Sequence, residues 1–394
     1  MPIASTGQLD LGAGRALQKC GTMAMSFNEA SARIDPRRLK KLLGDLVDIY
    51  SPSGKEEAIL RHIERYLRGY GLTPVRQEVG ENRYNLVLFP QGSDEVELCF
   101  VGHVDTVAAY SLEDYSFREQ GDTLFGLGTT DMKAGCAAMI EAFTVLSGAG
   151  DPFPRVGLAL VVGEEEDNDG AQSLVREYSF PWAVVGEPTD LSVCLGHYGY
   201  LEVFLRTRGK RAHSSMPELG HNAIEAMLRL LLQFTEYAAS APQGLVYNLR
   251  ELSGFPSGFV VPDTCEAWLD LHSPPGSSID TFKTELDHLL QAAGGPIPHL
   301  PASIRFEASY PGYRISQERS LVVKLKQVFE QASAAWAVND FRSHSDGNVL
   351  WSAGVDPVIL GPGRLEAAHT PDESVEFNQV VRAADLYLGL ARCV

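Results

Sequence analysis

Three short apolar runs in this chain end in the same way: each breaks at a glycine and is followed at once by a side chain able to bind a metal. Leu98-Cys99-Phe100-Val101 leads into Gly102-His103-Val104-Asp105. Leu158-Ala159-Leu160-Val161-Val162 leads into Gly163-Glu164-Glu165-Glu166, and Trp182-Ala183-Val184-Val185 into Gly186-Glu187. Apolar runs of this length without alternation suit strands buried on both faces, which predicts an α/β sheet covered by helices. In open α/β sheets the ligand site lies beyond the carboxyl ends of the strands. Three strands are therefore expected to deliver an imidazole and several carboxylates to one edge.

With 394 residues the chain has room for a second domain. From about His197 to Pro298 it reads as strand, helix, strand, strand, helix: Tyr198 to Arg208 alternates, Asn222 to Tyr237 has helical spacing, Cys265 to Leu271 alternates, and Ile279 to Ala292 is helical. This predicts a small α+β domain over residues 196–302, inserted between residues 30–195 and 303–394 of the larger one. The Pro/Gly-rich stretch from Gly294 to Pro301 is the expected return linker. Residues 1–29 have no continuous apolar core and no small-residue cleavage site, so they read as a poorly ordered extension and not as a signal peptide.

Charge removes whole classes of partner. The 33 Lys and Arg against 51 Asp and Glu leave a net charge of −18, which disfavours duplex nucleic acid and anionic membrane surfaces. No stretch approaches the ~20 consecutive apolar residues of a membrane-spanning helix. Six widely separated cysteines without a CxxC pair fit a reducing compartment, and the expected location is cytoplasmic.

The other candidate ligands lie in turns. Gly126-Leu127-Gly128-Thr129-Thr130-Asp131-Met132-Lys133 lacks the GK[ST] ending of a phosphate loop and feeds an apolar helix. Asp131 there reads either as a helix cap or as a carboxylate bridging two metals. Ser53 and Glu56 have capping-box spacing before a helix with Ile59, Ile63 and Leu67 on one face. Thr370-Pro371-Asp372-Glu373 has it too, which predicts the final helix from Pro371 and puts His369 just before it. Each feature alone has an ordinary structural reading: a strand-end histidine, a solvated acidic loop, a cap. Together they bring two histidines and four or five carboxylates to predicted strand ends and helix starts, and anions placed after a buried strand need compensating cations. Such a set suits zinc, with cobalt or manganese also compatible, and the lack of cysteine at these positions argues against a structural zinc knuckle. A GxSxG elbow and an HExxH helix are both absent.

From Ser51 to Val394 the chain resembles the M20 metallopeptidase family, the group of acetylornithine deacetylases, succinyl-diaminopimelate desuccinylases, aminoacylases and related carboxypeptidases. The resemblance lies in GHVDTV (102–107), GLGTTDMKAG (126–135), GEEEDNDGA (163–171), GEPTD (186–190), RAHSSMPELGHNA (211–223) and AAHTPDE (367–373). It implies a mixed, mostly parallel sheet sandwiched by helices in a zinc-peptidase-like catalytic domain, with the inserted domain acting as lid and dimerisation unit. It also implies two divalent ions, one held by His103, Asp131 and Glu187 and the other by Asp131, Glu165 and His369. Glu164 would be the general base, Asp105 the support of His103, and His213 a donor to the developing oxyanion in the partner chain of a homodimer. Gly170, five residues after Glu165, selects this register over a slip to Glu165 and Glu166. Where relatives carry an arginine for a substrate carboxylate, this chain has His272; Arg314 is a candidate replacement, and Asn222 either lines the site or caps a helix. The implied activity is hydrolysis of an N-acyl amino acid amide, with a carboxypeptidase or dipeptidase as the alternative within the family. A metal- or ligand-binding protein on a retired hydrolase scaffold is the alternative of another class.

Overall fold

The computed structural model describes residues 33–90, 96–109, 111–149, 155–240, 244–293 and 302–394. The extension expected over residues 1–29 and the linker expected over 294–301 lie outside them. The larger part of the chain contains β1 (Val75–Gly80), β2 (Arg83–Leu88), β3 (Leu98–His103), β4 (Arg118–Gln120), β5 (Thr123–Phe125), β6 (Val156–Val161), β7 (Trp182–Val185) and β8 (Val193–His197). The smaller part follows with β9 (Gly199–Arg208), β10 (Val246–Phe255), β11 (Thr264–Ser273) and β12 (Ala302–Tyr310), and the chain ends with β13 (Tyr313–Arg314), β14 (Val338–Phe341), β15 (Asp356–Ile359) and β16 (Ser374–Glu376). The helices are α1 (Pro36–Val47), α2 (Glu57–Gly69), α3 (Ala134–Ala149), α4 (Asp169–Glu177), α5 (Ala223–Ser240), α6 (Ile279–Ala293), α7 (Ser320–Gln331), α8 (Asp346–Ser352) and α9 (Phe377–Cys393).

The main sheet is mixed, in the order β1-β2-β6-β3-β7-β15-β8-β13, with β14 paired to β8. Its centre, β6-β3-β7-β15, is parallel. The apolar runs are buried on both faces because successive side chains point to opposite sides. Leu98 and Phe100 of β3 join a core with α1, α2, α3, α7 and α9, while Cys99 and Val101 join one with α4 and α8. The parallel register pairs His103 with Val161 and Val101 with Val185, so the residues following all three strands emerge at one edge.

The second sheet, in the order β10-β11-β9-β12, packs its own apolar cluster against α5 and α6. β12 pairs with β9, so the return to the main sheet comes after Tyr310, where β13 pairs with β8, and not at residue 302 as expected. The alternation of Ala302–Tyr310 follows directly on the Pro/Gly-rich stretch read as the return linker, so on sequence alone that strand falls to the larger domain. Among the described residues no helix is long and apolar enough to cross a membrane.

Two predicted caps do not form. α2 begins at Glu57 without a side-chain cap, because the Ser53 hydroxyl donates to Asp105 Oδ2 (2.6 Å) and Glu56 pairs with Arg83 (2.6 Å). The last helix starts at Phe377, not Pro371, and the Glu373 carboxylate is used elsewhere. Asp131 is not a helix cap either: Thr129–Lys133 forms a single wide turn in which Asp131 has extended backbone angles, and α3 starts at Ala134.

Candidate metal centre

His103 ends β3 fully buried. Its Nδ1 faces the main-chain oxygen of Asp105 at 3.1 Å, and that contact turns Nε2 toward Asp131 Oδ1, also at 3.1 Å. Glu164 and Glu187 each bring a carboxylate oxygen to 3.8 Å of the same nitrogen. The Asp105 carboxylate lies 3.6 Å from Nδ1, farther than its own main-chain oxygen. It accepts from Ser53 Oγ and from the backbone N–H groups of Glu164 (3.3 Å) and Glu165 (3.2 Å). Asp105 thus anchors the glutamate loop as well as the imidazole.

Asp131 lies between two imidazoles, with Oδ1 toward His103 and Oδ2 3.3 Å from His369 Nε2. Its turn is held by Glu373, whose Oε1 accepts from the backbone N–H groups of Thr130 (2.8 Å) and Asp131 (3.0 Å). His369 Nε2 also meets Glu165 at 3.1 Å. Glu166 is exposed.

Four carboxylates, Asp131, Glu164, Glu165 and Glu187, face at most two positive imidazoles, and Glu187 Oε1 is buried without a hydrogen-bond partner. Burial and neighbouring carboxylates raise Glu164 and Glu187 well above the usual range. Burial opposes charge on His369, yet its bonds to Asp131 and Glu165 hold it up at about 11. Excess buried anion with an orphaned oxygen is the environment that divalent cations relieve. His103, Asp131 and Glu165 bring ligand atoms within 4.8 Å of one another, as do His103, Glu164 and Glu187. The donors are imidazole nitrogen and carboxylate oxygen without sulfur, which fits zinc, cobalt or manganese.

These groups open into a cleft of about 1110 Å³ whose far wall is the small sheet, including Tyr200, Glu202, Arg250, Asp270 and His272. Arg314 is not brought there; it pairs with Asp340 at 2.8 Å on the sheet edge. Asn222 caps α5, accepting from Ile224 N (3.0 Å). His213 is exposed outside the cleft, with Nδ1 2.8 Å from Ser215 Oγ. His272 does line the cleft, tilted against Tyr200 at 5.3 Å. Sequence reasoning missed Glu373, hidden in an apparent cap, and Arg250, whose guanidinium is held by Glu202 and Asp270. It also missed Lys133, fully buried with Nζ donating to Ile49 O (3.1 Å) and pushed down to about 7 by burial.

The sequence model of the peptidase family M20/M25/M40 matches residues 99–392. The chain belongs to that family. It is 27% identical over 349 residues to an acetylornithine deacetylase of Vibrio atlanticus (strain LGP32), covering 84% of this chain and 89% of the relative. A second acetylornithine deacetylase, from Vibrio parahaemolyticus, is 28% identical over 325 residues, covering 78% and 84%. Among solved structures, a Staphylococcus aureus tripeptidase superposes with a TM-score of 0.79 at 22% identity, covering 91% of this chain and 98% of its own. Human carnosine dipeptidase 1 superposes at 0.75 with 12% identity, covering 90% and 95%. This M20 chain is an amide-bond hydrolase.

Proposed function

We propose that this hydrolase works with two divalent ions, zinc before cobalt or manganese, on the amide of an N-acyl amino acid. One ion is assigned to His103, Asp131 and Glu187, the other to Asp131, Glu165 and His369. The observation that carries the reading is the position of Asp131, one carboxylate oxygen toward each imidazole. Divalent ions bound there would polarise the scissile carbonyl and acidify water. Glu164, outside both ligand sets, takes the proton of the attacking water and returns it to the leaving nitrogen. Its crowded, buried surroundings favour holding that proton between the two steps.

His213 is exposed and is not among the residues lining its own cleft, and we assign it to the partner's, where it would donate to the charge developing on the carbonyl oxygen. A homodimer through the small sheet supports this. β10 is an edge strand that exposes Leu249, Leu252 and Phe255, and α5 exposes Leu228 and Leu232 nearby. Arg250 is the one Lys or Arg among the described cleft-lining residues, and its guanidinium is already neutralised. A substrate carboxylate at that wall would meet no unpaired Lys or Arg. An N-acyl amino acid and a C-terminal peptide both carry one, so the preference for a deacylase over a carboxypeptidase or dipeptidase rests on the acetylornithine deacetylase relatives. The spaced cysteines keep the cytoplasm as the proposed location. The test is metal analysis of the dialysed protein, followed by turnover of acetyl, succinyl and glutamyl amino acids and dipeptides with each metal. An absence of turnover on every amide overturns the reading, and turnover of dipeptides alone selects the peptidase.

A further inference from the structure

Behind the acid loop, three polar side chains stand in a row. Asn168, 1% exposed, closes the loop that carries Glu164 and Glu165, its backbone N–H donating to Gly163 O (2.6 Å). The Asn168 Nδ2 group donates to Asp346 Oδ1 (3.2 Å), and the amide oxygen Oδ1 faces His344 Nε2 (2.7 Å). On its other side, His344 Nδ1 meets Asn348 Oδ1 at 2.7 Å. Asp346 is also 1% exposed, and its Oδ2 has no partner.

The donors and acceptors in this row can be counted. The Asn348 amide nitrogen donates to Tyr198 O (3.0 Å) and Pro311 O (3.1 Å), and its oxygen accepts from Ser345 N (3.3 Å). Those bonds fix the amide, so His344 Nδ1 must carry a hydrogen. A neutral ring then offers a lone pair at Nε2, which requires Asn168 to present its NH2 group there and its oxygen to Asp346. That oxygen needs a donor, so Asp346 must be protonated. If Asp346 is ionised instead, it takes the Asn168 NH2, the amide oxygen faces Nε2, and the ring must carry both hydrogens. An amide has one donating end and one accepting end, so it cannot satisfy an ionised Asp346 and a neutral His344 together.

We propose that Asp346 and His344 hold one shared proton across Asn168, and that this uncharged triad is a positioning unit for the loop bearing Glu164 and Glu165. It rests on the reading of Glu164 as base. Asp346 is faced by His103, Asp105, Asp169 and Glu164, and His344 by His197 and His272. With one proton held between its ends, the triad adds no net charge beside Glu164. The His344 imidazole is stacked between Tyr200 (4.7 Å), at the start of β9, and Tyr310 (4.9 Å), at the end of β12. Both crossings to the small sheet therefore pack on the same ring.

Ring-nitrogen NMR of the histidine-labelled full chain tests the proton directly. His344 is identified by its loss in His344→Gln or, should that variant not fold, by its ring contacts with Tyr200 and Tyr310. One unchanging protonation pattern from about pH 5.5 to about pH 8.5 is expected; a midpoint near the ordinary histidine value of about 6.5 overturns the proposal. Asp346→Asn keeps an uncharged hydrogen-bond partner for Asn168 and is expected to hold kcat/KM within about threefold, whereas Asp346→Ala loses about tenfold or more. Equal damage by both variants means that the carboxylate charge is what matters, and the shared proton is wrong. The NMR result does not depend on turnover, so it separates this proposal from the failure of the hydrolase reading.

Discussion

Glu164 and Glu165 are adjacent in the chain yet reach different imidazoles, His103 and His369. If the first is the base and the second a ligand, their variants must fail differently. Glu164→Gln removes the proton acceptor and leaves every assigned ligand in place, so turnover should fall by about 10²–10⁴-fold while elemental analysis still finds both metals. Loss of metal from Glu164→Gln would transfer the ligand role to it and sink the assignment. Glu373 acts at one remove: its carboxylate accepts two backbone N–H groups of the Asp131 turn. Glu373→Ala leaves those donors unpaired in a buried setting, at a cost of about 1–3 kcal/mol. Urea unfolding should show that loss, and calorimetric titration should show weaker metal binding. Glu373→Gln, which keeps an oxygen acceptor, should recover most of both.

At the scale of elements, the site depends on how closely α3 approaches the end of β7. A Cβ at Gly135 would lie 2.2 Å from the Gly186 carbonyl oxygen, and backbone cannot swing aside as a side chain can. Gly135→Ala should therefore cost about 1–3 kcal/mol or more, read by urea unfolding, and displace Glu187 enough to lower metal affinity. Stability and affinity both at wild-type values would show that the helix can shift freely. The elements that carry the candidate ligands were legible in the sequence because buried parallel strands need unbroken apolar runs, and the glycine after each run marks where the chain leaves the sheet. Gly170 could be read as a register mark for a related reason: a Cβ there would meet Val162 O at 2.3 Å. The two capping boxes were misread because a hydroxyl or carboxylate that caps a helix looks the same in sequence as one that reaches a distant loop. Ser53 and Glu373 took the distant partners, Asp105 and the Asp131 turn. Strand Ala302–Tyr310 was missed as part of the small sheet because its alternation follows directly on a Pro/Gly-rich stretch, and strand pairing is decided by a partner about a hundred residues away.

For the whole molecule, metal and partner should both count toward stability or activity. If divalent ions compensate the buried acids, chelation removes a ligand that binds only the folded state, and at a free metal concentration 100 times Kd that binding is worth about 2.7 kcal/mol. The melting temperature should fall on chelation and recover with zinc; an unchanged temperature argues that the acids are compensated without metal. The partner is a separate matter, because the lining of one chain's cleft includes Asp131, Glu164, Glu165, Glu187 and His369 but not His213. The exposed edge of β10 gives the geometry for a second copy: an unpaired strand edge with apolar side chains invites another strand. A lysine at such an edge opposes pairing, so Leu249→Lys with Leu252→Lys should give a folded monomer in light scattering, since both side chains are already exposed at 42%. If His213 serves the partner's cleft, that monomer should lose kcat to the same degree as His213→Ala in the dimer. Mixing His213→Ala with Glu164→Gln subunits should then regenerate one cleft in each mixed dimer, with Glu164 from one chain and His213 from the other. Full activity in the monomer would place the oxyanion donor within a single chain and end the case for a shared site.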